Sequence, residues 1–428
     1  MASKLTKNYA HIAVSQGTIV LAKSLLLFIL GRELGASGFG VYTLLFATPI
    51  LISTIATLGV SRAITFSLSG EAHRRETVLG NHAYLVCGII FMVTACQVVL
   101  FSLFPETLFN ILGRSEKTAS LLIGAAFTLQ VANNGILHGV GGFHRLPLGT
   151  VLQWAVNLGA IVFFWSQSTL TPSNAGLAYA LGLIVFGLYT LRCPEMRGVF
   201  RPQKPDIVYF KSCFAYGSKA SALTLTSTIN LRLDYYIVAY FLSAADLGFY
   251  SLATSVCEVF LNVFSRGLDF VLLPWAAKQS ANNRIEQTAR LTRVTFTLTF
   301  LLAIGIFMLA TPAVTFFFGQ QYEPTVTALK YLLPGLVGLS LSYTLTGIFM
   351  GVGQLTPLLW AGTVSFLATL ILDIVLIPRI GINGAAMASS IAYWVQAWIT
   401  LAAVRRESEY AYSRYFIPRK NDFSIRRK

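Results

Sequence analysis

The chain has 428 residues, of which 55% are hydrophobic and only 11% are charged. Soluble domains carry about 25% charged residues, so this composition excludes an ordinary water-solvated fold. The formal net charge of +15 would suit a nucleic-acid partner, but Lys and Arg are concentrated in short gaps between apolar runs and in the C-terminal tail. That distribution is typical of cytoplasmic loops beside anionic lipid. We therefore expect membrane lipids as partners and no nucleic acid.

Apolar runs of about 20 residues recur along the chain, and each is long enough to cross a hydrocarbon core of about 30 Å as a helix. The runs are continuous, whereas the strands of a membrane barrel would alternate apolar and polar residues. The predicted fold is therefore all-α, a polytopic membrane protein with about 12 transmembrane helices. The predicted spans are 11–31, 40–62, 78–103, 119–140, 147–168, 174–192, 211–242, 246–276, 290–319, 326–352, 356–377 and 381–404.

Basic residues follow the even-numbered spans far more often than the odd-numbered ones. The gaps after even spans hold Arg74, Arg75, Arg145, Arg192, Arg197, Arg201, Lys204, Lys211, Lys278, Arg284 and Arg290. The gaps after odd spans hold mainly Arg32, Arg114, Lys117 and Arg379. Because short cytoplasmic loops carry the excess of Lys and Arg, both termini are predicted to face the cytoplasm.

Ordered sequence matches indicate a duplicated unit. "LGASGFGVYTL" from Leu34 lines up with "LSAADLGFYSL" from Leu242, and "GVG" at 139–141 pairs with "GVG" at 351–353. We predict an N-terminal six-helix lobe over 1–195, a cytoplasmic linker over 196–210 and a C-terminal six-helix lobe with a basic tail over 211–428. An even number of spans per unit gives parallel halves related by a pseudo-twofold axis along the membrane normal. The alternative is chance matching among helices rich in Gly and Ala.

Charged and polar side chains interrupt several predicted spans and fall on shared helix faces. A charge at the bilayer centre costs about 2.5–3.5 kcal/mol on insertion scales, so such residues usually face a partner or a watery cavity. We predict a lumen between the two lobes. Its predicted substrate-binding residues are Lys23, Arg62, Lys219, Asn230, Arg232, Asn262 and Arg266. Its candidate ion-coupling residues are Asp234, Glu258 and Asp269.

Structural interpretations of the same charges stay open. Glu258 with Arg266, and Arg232 with Asp234, could be internal ion pairs, and Arg62 near a span end could extend its charge to the interface. Asp373 is interpreted as a structural hydrogen-bonding residue rather than a ligand. The five cysteines fit no disulfide or metal spacing, and we expect no cofactor and no metal site.

A lumen with fixed Lys and Arg attracts anions, and Arg can bind phosphate in bidentate fashion. Ser, Thr, Asn and Tyr side chains can hydrogen-bond sugars. This combination suits an amphiphile with a phosphate head and a glycan, although the pattern alone fits an organic-anion exporter equally well. The sequence shows no nucleophile paired with a base, no metal-ligand spacing and no phosphate-binding loop. It therefore does not indicate an enzyme.

Several segments resemble signatures of the polysaccharide transporter family of the MOP superfamily, which includes the Wzx-type O-antigen flippases. The resemblance rests on "GRELGASGFGVYTLLFATPILISTIATLGVSRA", "LRLDYYIVAYFLSAADLGFYSLA", "FFFGQQYEPTVTALKYLLP" and "GVGQLTPLLWAGTVSFLATLILDIVLIPRIGINGAAMASSIAYWV". Compared with the lipid II flippases of that superfamily, the chain lacks two extra C-terminal spans and an Arg-rich first helix, which argues against a peptidoglycan precursor as substrate.

The resemblance implies a two-lobed transporter that works by alternating access in the bacterial inner membrane. It would move an undecaprenyl-diphosphate-type lipid-linked oligosaccharide to the outer leaflet for O-antigen, exopolysaccharide or capsule synthesis. Partners would include the polymerase and chain-length machinery of the same pathway. The alternatives are an ion-coupled multidrug or organic-ion antiporter of the MATE type, which would prefer an acidic lumen, and a membrane scaffold without transport activity.

Overall fold

The structure is a computed structural model that describes residues 2–69, 75–201, 203–261, 281–352, 355–408, 413–417 and 419. Those residues form helices joined by turns and loops, without a strand among them, which confirms the all-α prediction. Within the described ranges, 11 helices are long and apolar enough to cross a membrane. The chain is therefore a multi-pass membrane protein.

The first compact unit comprises residues 1–232. Short 3₁₀ turns occur at Phe143–Arg145 and Pro194–Phe200. Its helices are α1 (Ala2–Glu33), α2 (Gly35–Ala56), α3 (Val60–Ser69), α4 (Arg75–Leu103), α5 (Arg114–Gly139), α6 (Leu146–Ser166), α7 (Pro172–Leu191) and α8 (Ile207–Asn230).

The prediction of a lobe over 1–195 and a linker over 196–210 stays a prediction, and the first compact unit extends to residue 232. The unit continues through α8 because that helix packs against α2, α3 and α4. Tyr209 and Cys213 of α8 belong to the same buried apolar cluster as Ile64 and Val78.

The second compact unit comprises residues 233–428. In it, α12 packs against α10, α11 and α14, and α13 packs against α9 and α14. The short α15 lies on α11, where Arg293 Nη1 donates to the carbonyl oxygen of Arg414 at 2.6 Å. The helices are α9 (Leu233–Phe241), α10 (Ala244–Leu261), α11 (Ala281–Phe318), α12 (Glu323–Val352), α13 (Thr356–Ile380), α14 (Ile382–Ser408) and α15 (Ser413–Phe416).

Two predicted spans are interrupted rather than continuous. The span predicted over 40–62 ends as α2 at Ala56, and Leu58 (φ 38°) and Gly59 (φ 70°) turn the chain before α3 begins. The span predicted over 211–242 breaks between α8 and α9. Asp234 stabilises the start of α9, since its Oδ1 accepts a hydrogen bond from the Tyr235 backbone N–H at 3.0 Å and an acidic side chain is favourable at a helix N-terminus.

A buried polar triad connects three helices of the first unit. Asn133 of α5 lies 3.0 Å from His82 Nε2 of α4 through its Oδ1, and it donates through Nδ2 to Thr190 Oγ1 of α7 at 2.8 Å. Hydrogen bonds between membrane helices satisfy side chains that have no water to bond. The triad therefore fixes the register of α4, α5 and α7.

The break between α2 and α3 makes a close backbone contact with α8. A Cβ atom at Gly217 would lie 2.3 Å from the Leu58 carbonyl oxygen, and a Cβ at Gly59 would lie 2.5 Å from the Gly217 carbonyl oxygen. The rings of Phe66 and Tyr216 stack beside this contact with centroids 4.4 Å apart. Only glycine at 217 permits this approach, because any side chain would meet backbone atoms that cannot move aside.

We expect Gly217→Ala to destabilise the protein by about 1–3 kcal/mol, the usual cost of overpacking. The measurement is the thermal unfolding midpoint of the purified protein in detergent, followed by tryptophan fluorescence. Gly88→Ala is the matched control, because a Cβ there meets nothing within 4 Å. Equal midpoints for the two variants would contradict the close contact.

Candidate functional site

A buried carboxyl group lies at the start of α9 in the second unit. Asp234 is only 1% exposed, and its Oδ2 accepts a hydrogen bond from the hydroxyl of Tyr250 on α10. The same hydroxyl lies 3.2 Å from Ser389 Oγ on α14. The Tyr250 hydroxyl therefore connects Asp234 to α10 directly and to Ser389 of α14 through a second contact.

A second carboxyl group approaches from α13. Asp373 is fully buried, and neither of its carboxyl oxygens has a hydrogen-bond partner among the described residues. It lies close enough to Asp234 for the two groups to interact electrostatically. No hydrogen bond among the described residues supports the interpretation of Asp373 as a structural hydrogen-bonding residue, which stays a prediction. We name Asp234, Tyr250, Asp373 and Ser389 the carboxyl cluster.

A polar face of α10 extends from the carboxyl cluster toward Glu258. Tyr250, Thr254 and Glu258 recur every four residues, so they share one side of the helix over about 12 Å. The hydroxyl of Tyr235 lies 2.7 Å from Thr254 Oγ1. Tyr393 of α14 interacts electrostatically with both Asp234 and Glu258. The structure thus brings two of the predicted ion-coupling residues, Asp234 and the half-buried Glu258, to one side of α10.

The chemistry of the carboxyl cluster follows from its burial. Two ionised carboxylates cannot share a dry site at low free energy, because each loses its hydration and the two repel each other. A proton or a small cation can balance the charge of such a site. Carboxylate and hydroxyl oxygens are good ligands for hard cations. The cluster can therefore take up and release one positive charge.

Three of the predicted basic residues, Lys23, Arg62 and Lys219, lie on helices of the first unit. Lys23 is exposed on α1, and Lys219 is exposed on α8. Arg62 of α3 is also exposed, and its Nη1 donates to the carbonyl oxygen of Ala220. Arg62 and Lys219 thus share the contact between α3 and α8.

The remaining predicted site residues lie at the break between α8 and α9 or outside the described residues. Asn230 is buried at the end of α8, and Arg232 is half-buried in the turn that follows. Asn262, Arg266 and Asp269 lie outside the residues that the structure describes, so their assignment stays a prediction.

Comparison with known proteins finds relatives that are named for polysaccharide biosynthesis or glycan transport. The profile of a family described as "Polysaccharide biosynthesis protein" matches residues 162–327. A Haloferax volcanii protein named as a low-salt glycan biosynthesis flippase, Agl15, is 24% identical over 85% of this chain and 76% of its own length. A Shigella flexneri protein named as an O-antigen transporter is 23% identical over 53% of this chain and 56% of its own length. The resemblance to the polysaccharide transporter family of the MOP superfamily is confirmed. Since the relatives carry the names of flippases and transporters, this resemblance also agrees with the prediction that the protein is not an enzyme.

Solved structures confirm the fold. The lipid II flippase MurJ in an inward closed conformation superimposes with a TM-score of 0.76 at 14% identity, over 94% of this chain and 87% of that one. An inward-facing multidrug-resistance transporter of the MATE family gives a TM-score of 0.73 at 16% identity, over 94% of this chain and 98% of that one. This chain therefore has the MOP fold, which both transporters share.

We expect Tyr250→Phe to lower the thermal unfolding midpoint, at a cost of about 1–3 kcal/mol, because the change leaves the buried Asp234 without its hydroxyl donor. The midpoint is measured on purified protein in detergent. Tyr216→Phe is the matched control, since the ring of this exposed tyrosine stacks on Phe66 and the variant keeps that ring. A midpoint for Tyr250→Phe that equals that of the control would contradict the hydrogen bond to Asp234.

Proposed function

We propose that this protein is a flippase that moves an undecaprenyl-diphosphate-linked oligosaccharide from the cytoplasmic to the outer leaflet of a bacterial inner membrane. The observation that carries the proposal is similarity to a glycan-biosynthesis flippase along 85% of the chain. The product would feed O-antigen, exopolysaccharide or capsule synthesis, with the polymerase and chain-length machinery as downstream partners. Both termini would face the cytoplasm.

The exposed basic residues support an anionic headgroup as the substrate. Lys23, Arg62 and Lys219 lie on helices of a membrane protein, yet all three are exposed. Lysine and arginine bind phosphate strongly where water is scarce. In the proposed function they hold the diphosphate while the lipid chain stays in the bilayer, and Arg232, Asn230, Asn262 and Arg266 complete the substrate path.

The carboxyl cluster supports coupling to an ion gradient. Asp234 directly follows the break between α8 and α9, and its partners lie on α10, α13 and α14. Uptake of a proton or cation would remove the repulsion between Asp234 and Asp373 and favour the arrangement in which these helices are packed together. A ligand that binds one conformation better shifts the population toward it. Glu258 and Asp269 are proposed as further residues that bind the ion.

The second candidate function is an antiporter of the MATE type. The observation that favours it is the TM-score of 0.73 to a multidrug-resistance transporter of that family. Such a transporter exports organic cations in exchange for ions, and exposed lysine and arginine side chains oppose a cationic substrate. The two functions differ in the sign of charge that the substrate carries.

We expect Lys23→Ala and Lys219→Ala to reduce surface glycan at least about tenfold, because each removes a cation that binds the diphosphate. The assay complements a deletion strain and compares surface glycan with the glycan that accumulates on the lipid carrier.

Lys204→Ala is the control, since Lys204 is exposed in the loop before α8. Protein level in the membrane is measured for every variant. Normal surface glycan in both lysine variants would contradict the substrate path. A deletion strain without carrier-linked glycan, but with drug sensitivity that the gene reverses, would favour the antiporter.

A further inference from the structure

An apolar groove lies on the second unit between α11 and α12, with α14 as its third wall. It encloses a volume of about 330 Å³. Its defining residues are Phe296, Phe300, Ala303, Phe307, Lys330 and Trp394. Phe300 and Phe307 are about half exposed, and both belong to a helix long and apolar enough to cross a membrane. The groove therefore opens toward hydrocarbon, where only an apolar occupant is stable.

The groove runs along the helix far enough to hold part of a hydrocarbon chain. From Phe296 to Phe307 the helix rises about 16 Å, which is about half of a 30 Å hydrocarbon core. A linear apolar chain can therefore lie against the aromatic side chains along this length.

One end of the groove carries a positive charge. Lys330 Nζ lies 5.0 Å from the ring centroid of Phe307, and it forms no ion pair among the described residues. The cation–π contact holds the ammonium at the end of the groove while its other donors stay available. In the proposed topology, Lys330 lies in the part of α12 nearest the outer surface. A phosphate at the head of a lipid chain would meet it there.

The wall opposite α11 is fixed in place by a hydrogen bond. Trp394 Nε1 donates to the Pro334 carbonyl oxygen at 2.9 Å, which orients the indole ring along the groove. Because lipid tails are as apolar as these walls, the hydrophobic effect alone does not favour binding here. Selectivity comes from the fixed aromatic walls and the charge of Lys330.

We propose that this groove binds the single isoprenoid chain of a polyprenyl-phosphate lipid, with the phosphate at Lys330. The inference rests on the proposed function and extends it, since it assigns a place to the lipid carrier. Binding there keeps the chain beside the protein while the glycan head is released.

The test uses full-length protein in nanodiscs of phosphatidylcholine and a polyprenyl phosphate that carries a photoreactive diazirine on its chain. We expect cross-links to residues of the groove on α11 and α12, mapped by mass spectrometry. Lys330→Ala should reduce the labelling about fivefold, as expected for loss of a charge-assisted contact. Lys117→Ala is the matched control, because Lys117 also lies over a ring, that of Phe101, at 5.9 Å.

A second pair of variants tests the groove without removing a charge. Ala303→Phe places a ring in the groove and should abolish labelling. Gly305→Phe lies on the same helix, where a Cβ meets nothing within 4 Å, and should leave labelling unchanged. Excess unlabelled polyprenyl phosphate should compete with the probe, whereas excess phosphatidylglycerol should not.

Labelling outside the groove, equal labelling of Lys330→Ala and Lys117→Ala, or equal competition by phosphatidylglycerol would each overturn the inference. Glycan export is measured separately in Lys23→Ala and Lys219→Ala, the variants of the proposed substrate path. Loss of export without groove labelling would leave the flippase proposal standing and refute the groove. Groove labelling with normal export in those variants would support the groove and contradict the proposed role of the lysines in the substrate path.

Discussion

A carboxyl group buried among membrane helices must have its charge balanced, and this requirement governs the second unit of the protein. The Tyr250 hydroxyl donates a hydrogen bond to the Asp234 carboxyl group and stabilises its charge in part. Asp373 has no hydrogen-bond donor among the described residues. If only the free energy of unfolding mattered, an apolar residue would be favoured at such a position. The proposed ion coupling would give these carboxyl groups a role, because it requires a charge that can change. Reversible uptake of a positive charge is the proposed role of the two acids, which lie on different helices.

The buried polar side chains of the first unit are stabilised in a different way. The triad of His82, Asn133 and Thr190 is hydrogen-bonded within the bundle, and the glycine contact holds α8 against the turn between α2 and α3. These features fix geometry rather than exchange a charge. The exposed cations Lys23, Arg62 and Lys219 lie on this framework. Within the chain, one unit therefore supplies rigid supports for basic side chains, and the other supplies acids that can change their charge.

Composition and the lengths of apolar runs were sufficient to predict the fold class and nearly all of the spans, because the cost of unpaired backbone groups in lipid leaves few alternatives. The breaks after Ala56 and Asn230 were missed, since apolar residues continue through both turns and hydropathy does not register a positive φ or an acid that starts a helix. Asp234 and Glu258 were found from their position on shared helix faces. Tyr250 and Ser389 were missed because they meet Asp234 and each other from distant parts of the chain. Asp373 was noticed as an acid within the apolar run "FLATLILDIVLI", but its proximity to Asp234 does not follow from the sequence.

The central claim is that the carboxyl cluster binds a proton or small cation. The most direct measurement is the thermal unfolding midpoint of purified protein against pH and against sodium or potassium concentration, in the natural sequence and in Asp373→Asn. A ligand that binds only the folded state raises the midpoint as its concentration rises. We predict that the natural protein is stabilised by one of these ions or by protons, and that Asp373→Asn loses this dependence while remaining folded. An identical dependence in both proteins, or none in the natural one, would contradict the account.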